Sequence, residues 1–219
     1  MRTLKNFVQS RLRTVDVYPY YWLWRRRAGS ALEASGWLKS FRMGQPVDAD
    51  GEPTPWLTYG AIHFLQRRPL GDLTVFEWGS GNSTIWWAKK AQHIVACEHD
   101  FEWYSKVQKN LPPNAEIHHI PLNDKKERYS HFLSAINKTF DVVVIDGRQR
   151  NACARNCLEG LTERGVIIFD NTHRAKYLDG IRFLEDAGFR RLEFLGMAGL
   201  AAIKTETTIF YRTGNCLEI

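Results

Sequence analysis

Carboxylates stand at the ends of four short apolar runs: Glu77 after Val75 and Phe76, Glu98 after Ile94 to Cys97, Asp146 after Val142 to Ile145, and Asp170 after Val166 to Phe169. Runs of this length and β-branched content read as buried strands. In an open parallel sheet ligands bind at the carboxyl ends of the strands, so the four acids would converge on one edge. Asn171 directly follows Asp170. Adjacent strand tips lie about 5 Å apart, so Asp146, Asp170 and Asn171 predict three oxygen donors around one point. Hard donors without cysteine suit a divalent ion, Mg2+ before calcium or manganese. The competing chemistry is a lone active-site Asp146 that takes a proton without any metal.

The stretch 75–84, VFEWGSGNST, adds a turn to the first of these ends. Gly79 and Gly81 allow backbone to approach a ligand closely, and the N–H groups opening the helix behind them would face a nucleotide-like cofactor. A phosphate-cradling loop needs a following lysine, and none occurs before Lys89. A dinucleotide turn needs a third glycine where Thr84 stands, and Glu77 would repel a pyrophosphate. An acid here suits a cofactor that carries an ammonium and a sulfonium.

Glu77-x-Gly79-x-Gly81-x-Ser83 resembles motif I of the class I S-adenosylmethionine (SAM) methyltransferases. The resemblance implies that Glu77, Gly79, Ser80, Gly81, Asn82 and Ser83 line the SAM site, with Asp146 bordering it. Glu98, 17 residues after Gly81, would accept the ribose hydroxyls, and His99 either flanks the adenine or lies on the surface. Asp146, Asp170 and Asn171 match the metal-holding positions of the cation-dependent O-methyltransferases of the catechol and caffeoyl-CoA type. One departure stands out. Those enzymes carry a lysine base where this chain has Gln149, which leaves His173 as the side chain best suited to take a proton. Arg148, grouped with the catalytic candidates, would with Arg150 bind an anionic substrate or clamp the loop. PWLTYG (55–60), DGRQR, FDNTHR and the ending TTIFYRTGNCLEI also resemble bacterial SAM-dependent methyltransferases of undefined substrate. That likeness hints at polysaccharide or specialised-metabolite tailoring. The Asn/Asp-Pro-Pro-Tyr motif of nucleobase methyltransferases is absent, and nucleic acid is not expected as a partner.

The elements that must position these residues alternate regularly. Strands are predicted over 73–78, 93–98, 115–120, 140–145, 166–169, 189–196 and 207–212, with helices over 58–68, 83–91, 101–110, 151–161 and 175–187. Alternation predicts an α/β fold, a Rossmann-like sheet of mostly parallel strands with helices on both faces. The last two strands have no helix between them, which predicts an antiparallel ending of the methyltransferase kind.

Residues 1–45 carry nine Lys and Arg against Asp16 and Glu33, so their net charge is +7 in a chain of +6 overall. The basicity is therefore confined to an extension, followed by a nearly neutral domain over 46–219. Within the extension Tyr18, Tyr20, Tyr21, Trp22 and Trp24 precede Arg25, Arg26 and Arg27. Such a block suits an anionic membrane surface or polyanion, or else packs on the domain or another subunit. No apolar run approaches the roughly 20 residues of a membrane span, and no signal-peptide core is visible, so a cytoplasmic protein, peripheral to the membrane at most, is expected. Cys97, Cys153, Cys157 and Cys216 form no metal-type pair and read as buried thiols.

The expected function is SAM-dependent methylation of a small-molecule or saccharide hydroxyl. The rivals are aminopropyl transfer from decarboxylated SAM, a noncatalytic membrane-associated SAM-binding protein and, disfavoured by Glu77 and Thr84, an NAD-dependent oxidoreductase.

Overall fold

A computed structural model describes residues 28–122 and 128–219. Two short helices, α1 (Ala31–Ala34) and α2 (Trp37–Met43), and then α3 (Tyr59–Leu65) precede the sheet. The alternating portion runs β1 (Thr74–Trp78), α4 (Asn82–Ala88), β2 (His93–Glu98), α5 (Phe101–Gln108), β3 (Ala115–His119), α6 (Phe132–Ala135), β4 (Phe140–Ile145), α7 (Arg150–Asn156) and β5 (Leu161–Asp170). After α8 (Leu178–Asp186) the chain closes with β6 (Arg190–Ala198) and β7 (Ala201–Tyr211).

The strand order is β3-β2-β1-β4-β5-β7-β6. All pairs from β3 through β5 are parallel, and β7 inserts antiparallel between β5 and β6. Side chains alternate across each strand, so the sheet builds two cores. Val75, Ile94, Val142, Val144, Val166 and Ile168 pack on one face, with Trp86 and Trp87 of α4. Phe76, Val95, Val143, Ile145, Ile167 and Phe169 pack on the other, with Cys153 and Ala154 of α7. Burial on both faces explains why these strands read as continuous apolar runs rather than as alternating ones. The ends opposite the acids are tied by Asp141, whose carboxylate accepts from Thr74 N (2.9 Å) and the hydroxyls of Thr74 (2.9 Å) and Thr162 (3.0 Å).

β5 and β7 begin well before their expected bounds. Leu161 begins β5 because it pairs with Phe140 across a register shift, and β7 begins at Ala201 by pairing with Ala198 in a long hairpin. The polar residues Lys204, Thr205 and Glu206 hid that half of β7 from an apolar-run reading.

The block from Tyr18 to Arg27 lies outside the described residues. The described part of the extension touches the domain that follows it. Trp37 donates through Nε1 to Ala201 O of the hairpin (3.2 Å). The buried Ser40 hydroxyl donates to Val47 O and accepts from Val47 N, both at 2.9 Å. Ser40→Ala would orphan two buried backbone groups, so it should lower unfolding stability by about 1–3 kcal/mol. Urea unfolding of full-length chains checks this, and an unchanged midpoint would show that α2 is loosely held.

Candidate active site

The carboxyl ends of β1, β2, β4 and β5 open into one cavity of about 810 Å³. It is lined by Glu77, Gly79, Ser80, Gly81, Asn82, Ser83, Glu98, His99, Asp146, Arg148, Asp170, Asn171 and His173, so every residue singled out in the sequence reaches it. Gly44, Gln45, Pro46, Trp56, Leu200, Ala201 and Ile203 are also part of the wall, as are Glu102, Lys106, Arg150 and Arg174.

The glycine turn is fastened from beneath. Gly81 sits at φ +152°, and a Cβ there would meet the Trp103 indole at 3.5 Å. Trp103 donates from Nε1 to Ser80 O (2.8 Å), so one side chain walls the turn and fixes it. The Thr84 hydroxyl accepts from Gly81 N (3.1 Å) and donates to Glu77 Oε2 (2.7 Å). Thr84, which replaces a third glycine, thus links turn to strand end. Asn82 is also committed, donating to Pro46 O at 2.5 Å.

Glu98 is buried, and its Oε1 accepts from His99 N (2.7 Å) and Asp100 N (2.9 Å) and lies 2.7 Å from His99 Nδ1. Ser80 Oγ donates to Oε2 at 3.0 Å. Oε2 is therefore the oxygen with capacity left for a ligand hydroxyl. Asp100 caps α5 by accepting from Trp103 N. The His99 ring is held between Glu98 and Arg148, whose Nε lies 3.4 Å from His99 Nε2. His173 and Arg174 are exposed at the rim.

Asp146 and Asp170 are joined by Arg150. The buried guanidinium donates to Asp146 Oδ1 (2.7 Å), Asp146 O (2.8 Å), Gly147 O (2.9 Å) and Asp170 O (2.5 Å). Gly147 is required there, because a Cβ would lie 1.9 Å from the Tyr129 hydroxyl. Asp170 Oδ1 accepts from Thr207 (2.6 Å), and Oδ2 accepts from Asn171 Nδ2 (2.5 Å). This donor set does not fit the expected Mg2+ site at Asp146, Asp170 and Asn171. Asn171 turns its amide N–H toward Asp170, both Asp170 oxygens are engaged by neutral donors, and a cation already lies between the two acids. Among the described residues no cluster of three or more His, Cys, Asp or Glu is arranged to hold a metal.

Sequence reading noted Thr84 only as the absence of a third glycine, passed over Thr207 and Trp103, and read Arg150 as a ligand for an anionic substrate or a loop clamp.

Residues 76–172 match a family model described as a methyltransferase domain. The fold is that of the class I SAM-dependent methyltransferases. The chain is similar to precorrin-6y C5,15-methyltransferase from Geobacter metallireducens GS-15, at 17% identity and TM-score 0.52 over 69% of this chain and 86% of that one. It is also similar to spermidine synthase from Thermotoga maritima, at 16% identity and TM-score 0.51 over 67% of this chain and 54% of the other, about half its length. At such identities the likeness concerns the fold. A search of curated proteins gave no match. Among the described residues no helix is long and apolar enough to cross a membrane.

Burial pushes the Glu77 carboxyl up to about 8, with Ser83 and Thr84 hydrogen bonds opposing and the charges of Asp146 and Glu98 adding to the rise. Burial and the Asp146 charge also push Asp170 up to about 7, against Thr207 and Arg150. A folded acid that holds its proton to about pH 8 while the unfolded chain ionises near 4.5 binds more protons in between, so stability falls as pH rises through that window. At about 1.4 kcal/mol per pK unit the Glu77 part amounts to a few kcal/mol. Glu77→Gln should remove roughly half of the decline, Asp170 supplying the rest, and stabilise the ligand-free chain at pH 8 relative to wild type. Urea unfolding at pH 5 and pH 8 decides, and equal declines in both proteins would mean Glu77 is ionised in the fold.

Proposed function

We propose that the chain transfers the methyl group of SAM to a hydroxyl of a small-molecule or saccharide acceptor. The observation that carries this reading is one cavity shared by the glycine turn, the buried Glu98 and Asp146, whose Oδ2 has no partner among the described residues.

Three features fit the cofactor: a turn at positive φ that brings backbone to the cavity wall, an acid at the end of β1 beneath it, and Glu98 Oε2 at the end of β2. Gly79 to Ser83 would hold its amino-acid end, and Glu98 its ribose. When bound, SAM supplies a sulfonium methyl whose carbon takes the acceptor oxygen's lone pair while the C–S pair stays on sulfur. Holding acceptor and donor in line can supply ~7–11 kcal/mol of the barrier, and the chain's task is that alignment. Asp146 is half-sheltered, its side chain 23% exposed, and Oδ2 can accept the hydroxyl's proton as the new bond forms. We assign that proton to Asp146 in preference to the exposed His173, whose ring has no comparable anchor among the described residues. Trp56, Leu200 and Ile203 offer an apolar wall for the acceptor's body, and Arg148 and Arg174 suit an acceptor with an anionic group. The same cations disfavour the polyamine that aminopropyl transfer would require.

Titration calorimetry tests the cofactor assignment: SAM and S-adenosylhomocysteine should bind and NAD should not. Glu98→Gln replaces a charged acceptor by a neutral one, a difference of about 1.5–3 kcal/mol for such a bond, so SAM affinity should drop roughly ten- to hundredfold with the fold intact. Unaltered affinity in a folded Glu98→Gln protein would remove Glu98 from the cofactor site.

A further inference from the structure

We infer that Arg150 is the resident cation of this site, standing where a divalent ion would have to sit, and that it acts as the positioning residue for Asp146. The role given to Asp146 rests on the methyltransferase reading; the cation's place rests on geometry alone.

Arginine carries five N–H donors in a planar fork. Here Nε serves Gly147 O at 2.9 Å, one terminal nitrogen serves Asp170 O at 2.5 Å with Asn171 Oδ1 at 3.4 Å, and the other serves Asp146 O at 2.8 Å and Asp146 Oδ1 at 2.7 Å. Every donor is used on this chain, so none is left for an acceptor, and the residue acts through Asp146. The carbonyls belong to the ends of β4 and β5 and the loop between β4 and α7, which a point charge such as lysine could not bridge in one plane. The Tyr177 ring, 5.4 Å from Cζ, faces the guanidinium.

This fork replaces the two things a metal would do at these positions. It places a positive charge between Asp146 and Asp170, and it holds Asp146 by one oxygen with the other left over. A divalent ion needs about six oxygens near 2.1 Å, and to obtain them it would have to expel a buried guanidinium and rotate Asn171, whose amide N–H also donates to Thr205 (3.0 Å). Gln149 fits the same account. It stands at φ +48° as the residue before α7, in the turn that sends Arg150 back under the strand tips. The position that would carry a lysine base is thus spent on backbone geometry.

The test uses the full chain with S-adenosylhomocysteine, freed of metals on chelating resin, and Mn2+ as the probe, followed by electron paramagnetic resonance. Wild type should bind no Mn2+ at the site. Arg150→Ala leaves Asp146 and Asp170 without their cation and should gain one Mn2+ per chain, at least ~10-fold tighter than wild type. That gain should vanish in Arg150→Ala/Asp146→Asn and be displaced by methylguanidinium. Arg150→Lys, which keeps the charge, should gain none. Stoichiometric Mn2+ on wild type, or no gain in a folded Arg150→Ala protein, overturns the inference. Should Arg150→Ala fail to fold, wild type and Arg150→Lys decide between them. Calorimetry with S-adenosylhomocysteine on the same samples separates the two readings: absent binding in wild type refutes the methyltransferase assignment, whatever Mn2+ does.

Discussion

Glu77, Glu98 and Asp170 are buried at one edge of the sheet, and the need to satisfy them explains most of the structure around the site. A carboxylate moved from water into the interior is unfavourable unless hydrogen bonds or opposite charge replace its hydration. Each acid here has a separate solution. Glu77 takes a hydroxyl from Thr84 and is pushed toward its neutral form. Glu98 takes backbone N–H groups from the start of α5's cap. Asp170 takes hydroxyl and amide donors from β7 and its own neighbour, with Arg150 behind it. These solutions are also what builds the site, since Thr84 shapes the turn, the Glu98 contacts place Ser80, and Thr207 ties β7 to the tip of β5.

The antiparallel insertion of β7 has a direct consequence for the cavity. Because β7 runs opposite to β5, Thr205 and Thr207 arrive at the catalytic edge, and the β6–β7 hairpin projects beyond it. The hairpin then gives Trp37 its acceptor at Ala201, and α2 in turn delivers Gly44, Gln45 and Pro46 to the cavity wall. Asn82 closes the circuit by binding Pro46 O from the first turn of α4. Gly44 and Gln45, just before 46, therefore line the cavity together with the strand tips.

The sheet and the cavity edge were legible because parallel strands buried on both faces leave continuous apolar runs, and the residue that ends each run is fixed by the pattern. Glu77, Glu98, Asp146 and Asp170 could be read that way. What those acids bind could not. Three oxygen donors at adjacent strand tips are equally consistent with a metal and with a guanidinium, and the choice depends on whether Arg150 folds back under them or points out to a ligand. That is decided by the Gln149 turn and by free carbonyls at the strand ends, neither of which leaves a mark in composition or periodicity. The polar half of β7 was hidden for a related reason: its alternation serves a hairpin above the core rather than the core itself.

A guanidinium in place of a metal changes what the acceptor half can do. A divalent ion offers open coordination positions, so it binds and acidifies the acceptor oxygen itself. Arg150 offers none, because its donors are saturated, and only Asp146 Oδ2 is left to meet a hydroxyl. Under the proposed methyl transfer, recognition of the acceptor would come from the mouth elements: Trp56 and Ile203, 50% and 70% exposed, on the apolar side, and Arg148 with Arg174 on the cationic side. These residues lie on loops and the hairpin rather than on the strand tips shared with other proteins of this fold. On the proposed reading the strand tips would hold the cofactor, and the choice of acceptor would reside in segments that the family match over residues 76–172 does not reach, apart from Arg148.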